Sequence, residues 1–378
     1  MNKVVIIPDS FKGTMSSRKV CDITKEAIKK YYPQAKVCTL PVADGGEGTV
    51  DSYLAAVGGE KIHLTVTGPL FKKVEAYYGI LPDGTAIIET AASAGLPLVG
   101  EDKNPLKTTT FGLGEMIIDA IKKDCRKIII GLGGSCTNDG GAGAAAAMGI
   151  AFYNENGDVF VPTGGNLSEI ARIDMSGLFP GVKNLEIIGM CDVDNPLYGE
   201  NGAAYIFGPQ KGASEEDVRY LDEQLRCFSN LLNSQLDMDI SSMPGAGAAG
   251  GLGGGIVAFL GARLQNGIEA VLDTVKFEQY AEEADLVISG EGRLDGQSLR
   301  GKVISGIAKR CKNLQVPLVA IVGSVHDDEI QSAYDMGVSA VFTINRKAVD
   351  FEIAKEHSED NLRNTVENII RYTKIIKK

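Results

Sequence analysis

The sequence predicts an α/β protein in which both ends of the chain form one parallel sheet and the middle forms a second, inserted α/β domain. Three observations predict this organisation. Short β-branched runs alternate with helical patterns at both chain ends. Between about residues 61 and 280 the pattern of strand and helix signals differs from that of the ends. Polar or glycine-rich segments follow the strands. The 378 residues are enough for two domains with a sizeable core.

The N-terminal end begins with a strand, a helix and a second strand. The β-branched run VVII is typical of a strand buried on both faces. The next segment places Val20, Ile23, Ala27 and Ile28 on one face at helical spacing. The predicted elements of this end are strands at 4–7 and 36–40 and helices at 16–31 and 46–57.

The same alternation of strand and helix patterns is found at the C-terminal end. The predicted elements there are strands at 285–289, 317–323 and 339–344 and helices at 300–311, 327–336 and 360–376. Joined to the first two strands, these three make a five-stranded parallel, flavodoxin-like sheet. We therefore expect residues 1–60 and 281–378 to form one domain.

Residues 61–280 are expected to form the inserted α/β domain, with a mixed sheet. HLTVTG, VEAYYGI and TAIIET are short strands with turn signals between them, such as PDG, which indicates an antiparallel meander. KIIIG at 127–131 and LEIIGM at 185–190 add further strands, and two alanine- and glycine-rich stretches accompany them.

Charge and cysteine usage exclude several classes of protein. The net charge of −11 opposes binding to nucleic acid or to an anionic membrane. The seven cysteines are scattered without a CxxC pair, which argues against a disulfide framework and for a reducing compartment. The first apolar run is too short for a secretory signal, and no apolar run is long enough to cross a bilayer, so we expect a cytoplasmic protein.

Polar segments follow each strand of the predicted parallel sheet. Because ligands bind beyond the carboxyl ends of the strands in such sheets, these segments are expected to converge on one edge. They are PDSFKG at 8–13, PVADGGEGT at 41–49, SGEGRLDGQS at 289–298, GSVHDD at 323–328 and NRK at 345–347. His326 in the fourth segment is interpreted as a loop residue.

The inserted domain contributes further candidate segments. GLGGSCTNDGGAG at 131–143 follows a strand and precedes an alanine-rich helix, which suits an anion. CDVDNPLYG at 191–199 supplies two carboxylates, and FGPQKGA at 207–213 supplies Lys211. PGAGAAGGLGGG at 244–255 contains a GxGxxG pattern, but no strand precedes it, and close helix packing explains its glycines equally well.

Structural explanations compete with functional ones for several of these residues. The acids at 44, 47 and 51 could cap a helix, and Asp192 and Asp194 could form turns. Glycine loops, carboxylates and isolated cations without a histidine or thiol cluster nevertheless suit phosphoryl transfer. The sequence has no Walker A motif, no protein-kinase signature, no GxSxG elbow and no strand-linked dinucleotide fingerprint.

At these residues the chain resembles the bacterial type-1 glycerate kinases. The matching segments, which run in family order from residue 8 to 302, are PDSFKGTMSS, PVADGGEGT, GLGGSCTNDGGAG, CDVDNPLYGENGAA, FGPQKGA, PGAGAAGGLGGG and SGEGRLDGQSLRGK. The resemblance implies ATP-dependent phosphorylation of D-glycerate with Mg²⁺, giving 2-phosphoglycerate rather than 3-phosphoglycerate. It also implies a flavodoxin-like domain, an inserted domain and an active site in the cleft between them.

The resemblance and the motifs together assign expected roles. The expected catalytic residues are Lys12, Asp192 and Asp295, and the expected substrate-binding residues are Asp9, Ser10 and Arg293. The expected nucleotide-binding residues are Gly133, Gly134, Ser135, Thr137, Asn138, Lys211 and Gly247. The expected metal ligands are Asp44, Glu47 and Asp194. Arg293 suits a bidentate grip on the glycerate carboxylate, while the choice between Asp192 and Asp295 as proton acceptor stays open.

Two other functions fit the same loops. One is a phosphate-handling enzyme that is not a kinase, such as a mutase or a phosphatase. The other is a two-domain binding protein that closes on a small acid, which would leave ATP unchanged. The expected partners are the small molecules D-glycerate and ATP, with a homodimer as a further option and no nucleic acid or membrane.

Overall fold

The computed structural model describes residues 1–43, 45–294, 302–347 and 349–376. Contacts divide the chain into two compact units. The terminal unit comprises residues 1–44, 51–58 and 266–378, and the inserted unit comprises residues 45–50 and 59–265.

The strands of the described residues follow one another in this chain order. They are β1 (Lys3–Ile6), β2 (Lys36–Thr39), β3 (Glu60–Thr67), β4 (Lys73–Ile80), β5 (Thr85–Glu89), β6 (Lys127–Gly131), β7 (Ala151–Tyr153), β8 (Val159–Phe160), β9 (Arg172–Asp174), β10 (Glu186–Met190), β11 (Arg263–Gln265), β12 (Leu286–Leu294), β13 (Leu318–Val325) and β14 (Ala340–Thr343).

The α-helices of the described residues lie between and after these strands. They are α1 (Ser17–Tyr31), α2 (Thr49–Val57), α3 (Ala91–Ala94), α4 (Phe111–Lys122), α5 (Ala142–Ala147), α6 (Ala203–Phe207), α7 (Glu215–Leu236), α8 (Leu252–Leu260), α9 (Gly267–Thr274), α10 (Phe277–Ala281), α11 (Val303–Leu314), α12 (Asp327–Met336), α13 (Phe351–Glu356) and α14 (Ser358–Ile376). Within the described part of the chain, no helix has the length and apolar character needed to span a membrane.

The terminal unit contains a parallel sheet with the strand order β14-β13-β12-β1-β2. Numbered along this unit alone, the order is 2-1-3-4-5, which is the flavodoxin-like order, so the predicted parallel sheet is confirmed. Every neighbouring pair is parallel, and Val5 of β1 pairs with Val287 on one side and Cys38 on the other. The side chains of α1 and α14 share a core with β1, β12 and β13.

Strand β12 is longer than the sequence predicts. The predicted end at residue 289 is wrong, because the strand continues through the glycine-rich stretch to Leu294 and pairs with β13 as far as Val325. Hydrogen bonds to a neighbouring strand hold these residues extended although their composition is typical of a loop. Arg293 therefore lies opposite Ser324 on a paired strand.

The inserted unit contains a mixed sheet with the strand order β11-β10-β6-β5-β4-β3. The predicted meander is confirmed, since β3–β4 and β4–β5 are antiparallel, while β5, β6, β10 and β11 are mutually parallel. Buried residues such as Ile128, Ile130 and Ile187 pack against α4, α5 and α8 in its core. A small antiparallel sheet, β8-β7-β9, was not expected from the sequence.

Residues 266–280 group with the terminal unit, although the sequence analysis placed them in the inserted domain. The guanidinium of Arg310 in α11 forms hydrogen bonds to acids of these residues. It donates to Glu269 at 2.6 Å, to Asp273 at 2.7 Å and to Glu278 at 2.5 Å, and these acids lie on α9 and α10. The arginine thereby fastens both helices to the terminal unit.

Candidate active site

A pocket of about 400 Å³ lies in the terminal unit beyond the carboxyl ends of its strands. Its described lining residues come from segments that are far apart in sequence. They are Asp9, Ser10, Phe11, Lys12, Thr14, Glu291, Gly292, Arg293, Lys302, Gly323, Ser324, Ile344, Asn345, Phe351, Ala354, Lys355 and Ser358. The structure thus brings together Asp9, Ser10, Lys12 and Arg293, which the sequence analysis assigned to substrate binding and catalysis.

The segment after β1 is held by backbone hydrogen bonds. Asp9 N donates to Gly290 O at 2.8 Å, so this segment continues alongside β12 beyond the end of β1. Phe11 and Met15 exchange two backbone bonds across a tight turn, whose tip carries Lys12 and Gly13. Gly13 has φ of +80°, a left-handed conformation that favours glycine. The turn fixes the backbone of Lys12, and the side chain of Lys12 is exposed at the pocket.

The two glycines of SGEGRL, Gly290 and Gly292, allow neighbouring backbone to pack closely against β12. A Cβ at residue 290 would collide with the carbonyl oxygen of Ile321, and one at residue 292 would lie 3.3 Å from Lys12 N. Gly290 and Gly292 thus bring β13 and the Phe11–Lys12 segment close to β12.

Arg293 has a partner that the sequence analysis did not predict. Its guanidinium Nη2 contacts the ring Nε2 of His326, and His326 N donates to Leu294 O at 3.1 Å. His326 was interpreted as a loop residue, and it stands between β13 and α12 as the N-cap residue of that helix. Its position after a neighbouring strand was the signal in the sequence, but the contact depends on the pairing of β12 with β13.

The pocket combines cationic and anionic groups. Among the described lining residues, four are cationic and two are carboxylates. The cations are Lys12, Arg293, Lys302 and Lys355, and the carboxylates are Asp9 and Glu291. Both carboxylates are largely buried, at 8% and 6% exposure. Such a lining can bind an anion and can also accept a proton from a hydroxyl group.

Several lining residues were not predicted to have a role. Glu291 stands between the two glycines of β12, and Lys302 precedes α11. Asn345 follows β14, and its Nδ2 donates to Gly323 O at 2.8 Å, which ties the ends of β13 and β14 together. Asp295 and Asp44, which were assigned to catalysis and metal binding, lie outside the described residues.

In the inserted unit, the buried side chain of Lys211 forms hydrogen bonds to the loop at 131–143. Its Nζ donates to Ser135 Oγ at 3.0 Å and to Thr137 O at 2.7 Å. Only 2% of Lys211 is exposed, and burial lowers its pKa to about 8. Because its Nζ donates to these two acceptors, Lys211 stabilises the conformation of the loop.

Asp139 is a second buried anchor of the same loop, and the sequence analysis assigned it no role. Its carboxylate accepts hydrogen bonds from Thr110 N at 2.7 Å, Thr110 Oγ1 at 2.8 Å, Gly141 N at 3.2 Å and Gly143 N at 3.3 Å. Burial raises the pKa of Asp139, and these four donors act in the opposite direction. The loop is thereby joined to the segment before α4 and to the start of α5.

The remaining residues predicted to bind nucleotide differ in accessibility. Thr137 and Asn138 are fully buried, whereas Gly134 is exposed. Gly133 is half-buried, and its N–H donates to Gly45 O at 3.1 Å. Gly247 is buried, and a Cβ there would collide with the carbonyl oxygen of Pro196, which is the close packing considered as an alternative for its glycine run.

Of the carboxylates predicted to bind metal, Glu47 and Asp194 are exposed in the inserted unit, and Asp44 lies outside the described residues. Asp192, which was predicted to be catalytic, is half-buried after β10. The segment at 45–50 is anchored by Glu89, whose Oε1 accepts from Val50 N at 2.7 Å. Within the described residues, no three histidine, cysteine or acidic side chains come together as a metal site.

A flavodoxin-like sheet with an ion-lined pocket beyond its strand ends defines an α/β protein of the class that binds small ligands at that edge. The family model described as the glycerate kinase family matches residues 4–374. The chain belongs to the glycerate kinase family, and it is accordingly a phosphotransferase. The resemblance inferred from the motifs is confirmed.

Individual relatives match over nearly their whole lengths. A glycerate kinase of Halalkalibacterium halodurans is 44% identical, with 98% of this chain and 97% of the relative covered. A glycerate 2-kinase of Escherichia coli is also 44% identical, with 97% of each chain covered. A crystal structure of a protein assigned as glycerate kinase 2 from Salmonella typhimurium superposes with a TM-score of 0.89 at 40% identity, covering 100% of this chain and 99% of the other.

Proposed function

We propose that this chain transfers the γ-phosphoryl group of ATP to D-glycerate, and that glycerate binds in the pocket of the terminal unit. The observation that carries the proposal is the convergence of Asp9, Ser10, Lys12 and Arg293 on one pocket, in a chain of the glycerate kinase family. The prediction that the reaction takes place in a cleft between the two domains stays a prediction.

Each group of the pocket has a proposed role in the transfer. Arg293 binds the glycerate carboxylate through its planar fork, and Asp9 and Ser10 bind the hydroxyl groups. The hydroxyl oxygen attacks the γ-phosphorus, the bond from that phosphorus to the bridging oxygen breaks, and ADP leaves. Lys12 stabilises the negative charge on the phosphoryl oxygens as the transfer proceeds.

The proton of the attacking hydroxyl goes to a carboxylate. Asp295 and Asp192 are the two proposed proton acceptors, and an asparagine substitution at each position shows which of them has this role. Asp295→Asn should lower kcat by about 10²–10⁴-fold and preserve glycerate binding if Asp295 is the base. A loss of turnover in Asp192→Asn, with only a raised KM in Asp295→Asn, would exchange the two roles.

We propose that the phosphoryl group is transferred to the 2-hydroxyl. The Escherichia coli relative is named as a glycerate 2-kinase, and it covers almost the whole chain at 44% identity. Mg²⁺ is proposed to enter with the nucleotide, because this ion is usually held by phosphates and one or two carboxylates.

The decisive experiment is to incubate the protein with ATP, Mg²⁺ and D-glycerate and to identify the products by ³¹P NMR. The proposal predicts ADP and 2-phosphoglycerate in equal amounts. Inorganic phosphate without phosphoglycerate would indicate a phosphatase, and unchanged ATP beside bound glycerate would indicate a binding protein. L-glycerate in a parallel reaction tests the stereochemistry of the acceptor.

A further inference from the structure

The pocket of the terminal unit has an apolar wall that glycerate does not need. Phe351 and Ala354 of α13 line it together with Ile344. Phe351 is 57% exposed, which is high for an aromatic side chain that lines a pocket. A three-carbon acid with oxygen on every carbon gains little from such a surface, because apolar surface favours a ligand with apolar area of its own.

The aromatic ring lies directly beside the cationic part of the pocket. A Cβ placed on Gly13 would be 3.5 Å from Cζ of Phe351, so the ring adjoins the turn that carries Lys12. Lys355, on the same short helix as Phe351, also lines the pocket and forms an ion pair with Glu352. An aromatic face and several cations within one cavity match a ligand that has a flat ring at one end and phosphates at the other.

The size of the pocket and the reaction both support two ligands in it. The volume of about 400 Å³ falls in the range of sites for drug-sized ligands, which are much larger than glycerate. Phosphoryl transfer also requires the donor phosphate to reach the acceptor hydroxyl directly. Phe351 is 57% exposed, whereas Thr137, Asn138 and Lys211, which were predicted to bind nucleotide in the inserted unit, are buried.

We propose that Phe351 is the stacking surface for the adenine ring of the nucleotide, with Ile344 and Ala354 completing an apolar slot. This inference rests on the proposed function for the identity of the nucleotide, and it places the base in the terminal unit. The purine stacks on the exposed face of Phe351, and the phosphates extend toward Lys12 and Lys302.

The chain contains no tryptophan, so one substitution provides a specific reporter. Phe351→Trp introduces a single indole at the proposed stacking position. Its fluorescence should change saturably with ADP and with adenosine, and it should stay constant with tripolyphosphate or D-glycerate alone. Ile353→Trp is the matched control, because Ile353 is 52% exposed on the same helix but is not among the lining residues, and its fluorescence should not respond.

Kinetics provide a second measurement. Phe351→Ala should raise the KM for ATP by about tenfold or more, as expected for loss of base stacking, and leave the KM for glycerate within about twofold. Phe351→Tyr should restore the wild-type KM for ATP. If ADP binds by calorimetry while the Phe351→Trp fluorescence and the KM for ATP of Phe351→Ala are both unchanged, the inference is wrong.

The outcome for Phe351 can be distinguished from the outcome for the proposed function. A fluorescence response to adenosine in a protein that does not phosphorylate glycerate would support the stacking site and reject the kinase reaction. Normal phosphorylation of glycerate with an unresponsive indole would support the reaction and reject the stacking site.

Discussion

At the scale of single residues, the pocket depends on neighbours that are distant in sequence. Asp9, Ser10, Lys12 and Arg293 could be predicted because each follows the buried part of a strand, and strand ends of a parallel sheet share one edge. The contact between Arg293 and His326 could not be predicted in the same way. It depends on the register that sets Arg293 opposite Ser324, and shifting a strand by one residue turns its side chains to the other face.

The planar fork of Arg293 gives the first prediction. Arg293→Lys keeps the charge but loses bidentate hydrogen bonding, so the KM for glycerate should rise by roughly tenfold, which corresponds to about 1.4 kcal/mol. The KM for ATP should change little. Steady-state kinetics with each substrate varied in turn measure both values, and Arg346→Lys on the loop after β14 serves as a control outside the lining residues. An unchanged KM for glycerate would remove Arg293 from the substrate site.

The charge of Lys12 gives the second prediction. Lys12→Ala should lower kcat by about 10²-fold or more, because one preorganised cation would no longer stabilise the transferred phosphoryl group. Lys19→Ala, an exposed lysine that pairs with Glu359, provides the comparison and should retain full activity. If Lys12→Ala keeps nearly the wild-type kcat, Lys12 is a solvated lysine without a catalytic role.

At the scale of elements, periodicity located the strands but not where each one stops. The buried β-branched runs of β1, β12 and β13 were sufficient to predict their existence. The extension of β12 to Leu294 was missed because its residues resemble a loop, and only pairing with β13 keeps them extended. The short helix α13, which carries Phe351, was missed as well, since six residues give too little periodicity to recognise.

Lys211 gives a prediction at the same scale, because its folded pKa of about 8 lies below the 10.5 of an ordinary lysine. Between these two pH values the unfolded chain binds more protons than the folded chain, so this residue makes stability rise as pH increases. The full effect is about 3 kcal/mol at 1.36 kcal/mol per pKa unit. Lys211→Met removes the titrating group and should lack this rise.

The measurement is the free energy of unfolding in urea at several pH values from 7 to 11, taken for the wild type and for Lys211→Met. The difference between the two proteins isolates Lys211 from other groups, such as buried Tyr53 and Cys21, whose pKa values burial raises. The wild type should gain stability relative to the variant as pH rises through 8 to 10.5. Parallel profiles would mean that the pKa of Lys211 is not lowered in the folded protein.

At the scale of the whole molecule, the chain builds its terminal unit from segments separated by about two hundred residues. The sequence could reveal this, since strands alternate with helical patterns at both chain ends, while the segment between about residues 61 and 280 begins with a meander of short strands. It could not reveal that helices α9 and α10 belong to the terminal unit. In the structure Arg310 of α11 pairs with Glu269, Asp273 and Glu278 of these helices, and isolated charges carry no periodic signal.

The proposed location of both ligands predicts a pattern of hydrogen exchange across the entire chain. ADP and D-glycerate at about 100 times their dissociation constants should each stabilise the folded protein by about 2.7 kcal/mol. Amides that exchange only by openings that release one of the ligands should therefore slow by about 100-fold, and those that need both ligands to leave should slow by about 10⁴-fold. We expect the slowed amides in residues 9–13, 291–294, 323–326, 345–347 and 349–355, the segments that contribute lining residues to the pocket. The strands β3 and β4 of the inserted unit lie outside this set and provide the internal reference. Protection confined to residues 131–143 would instead place the nucleotide on the glycine-rich loop of the inserted unit, and the assignment of the base to Phe351 would fail.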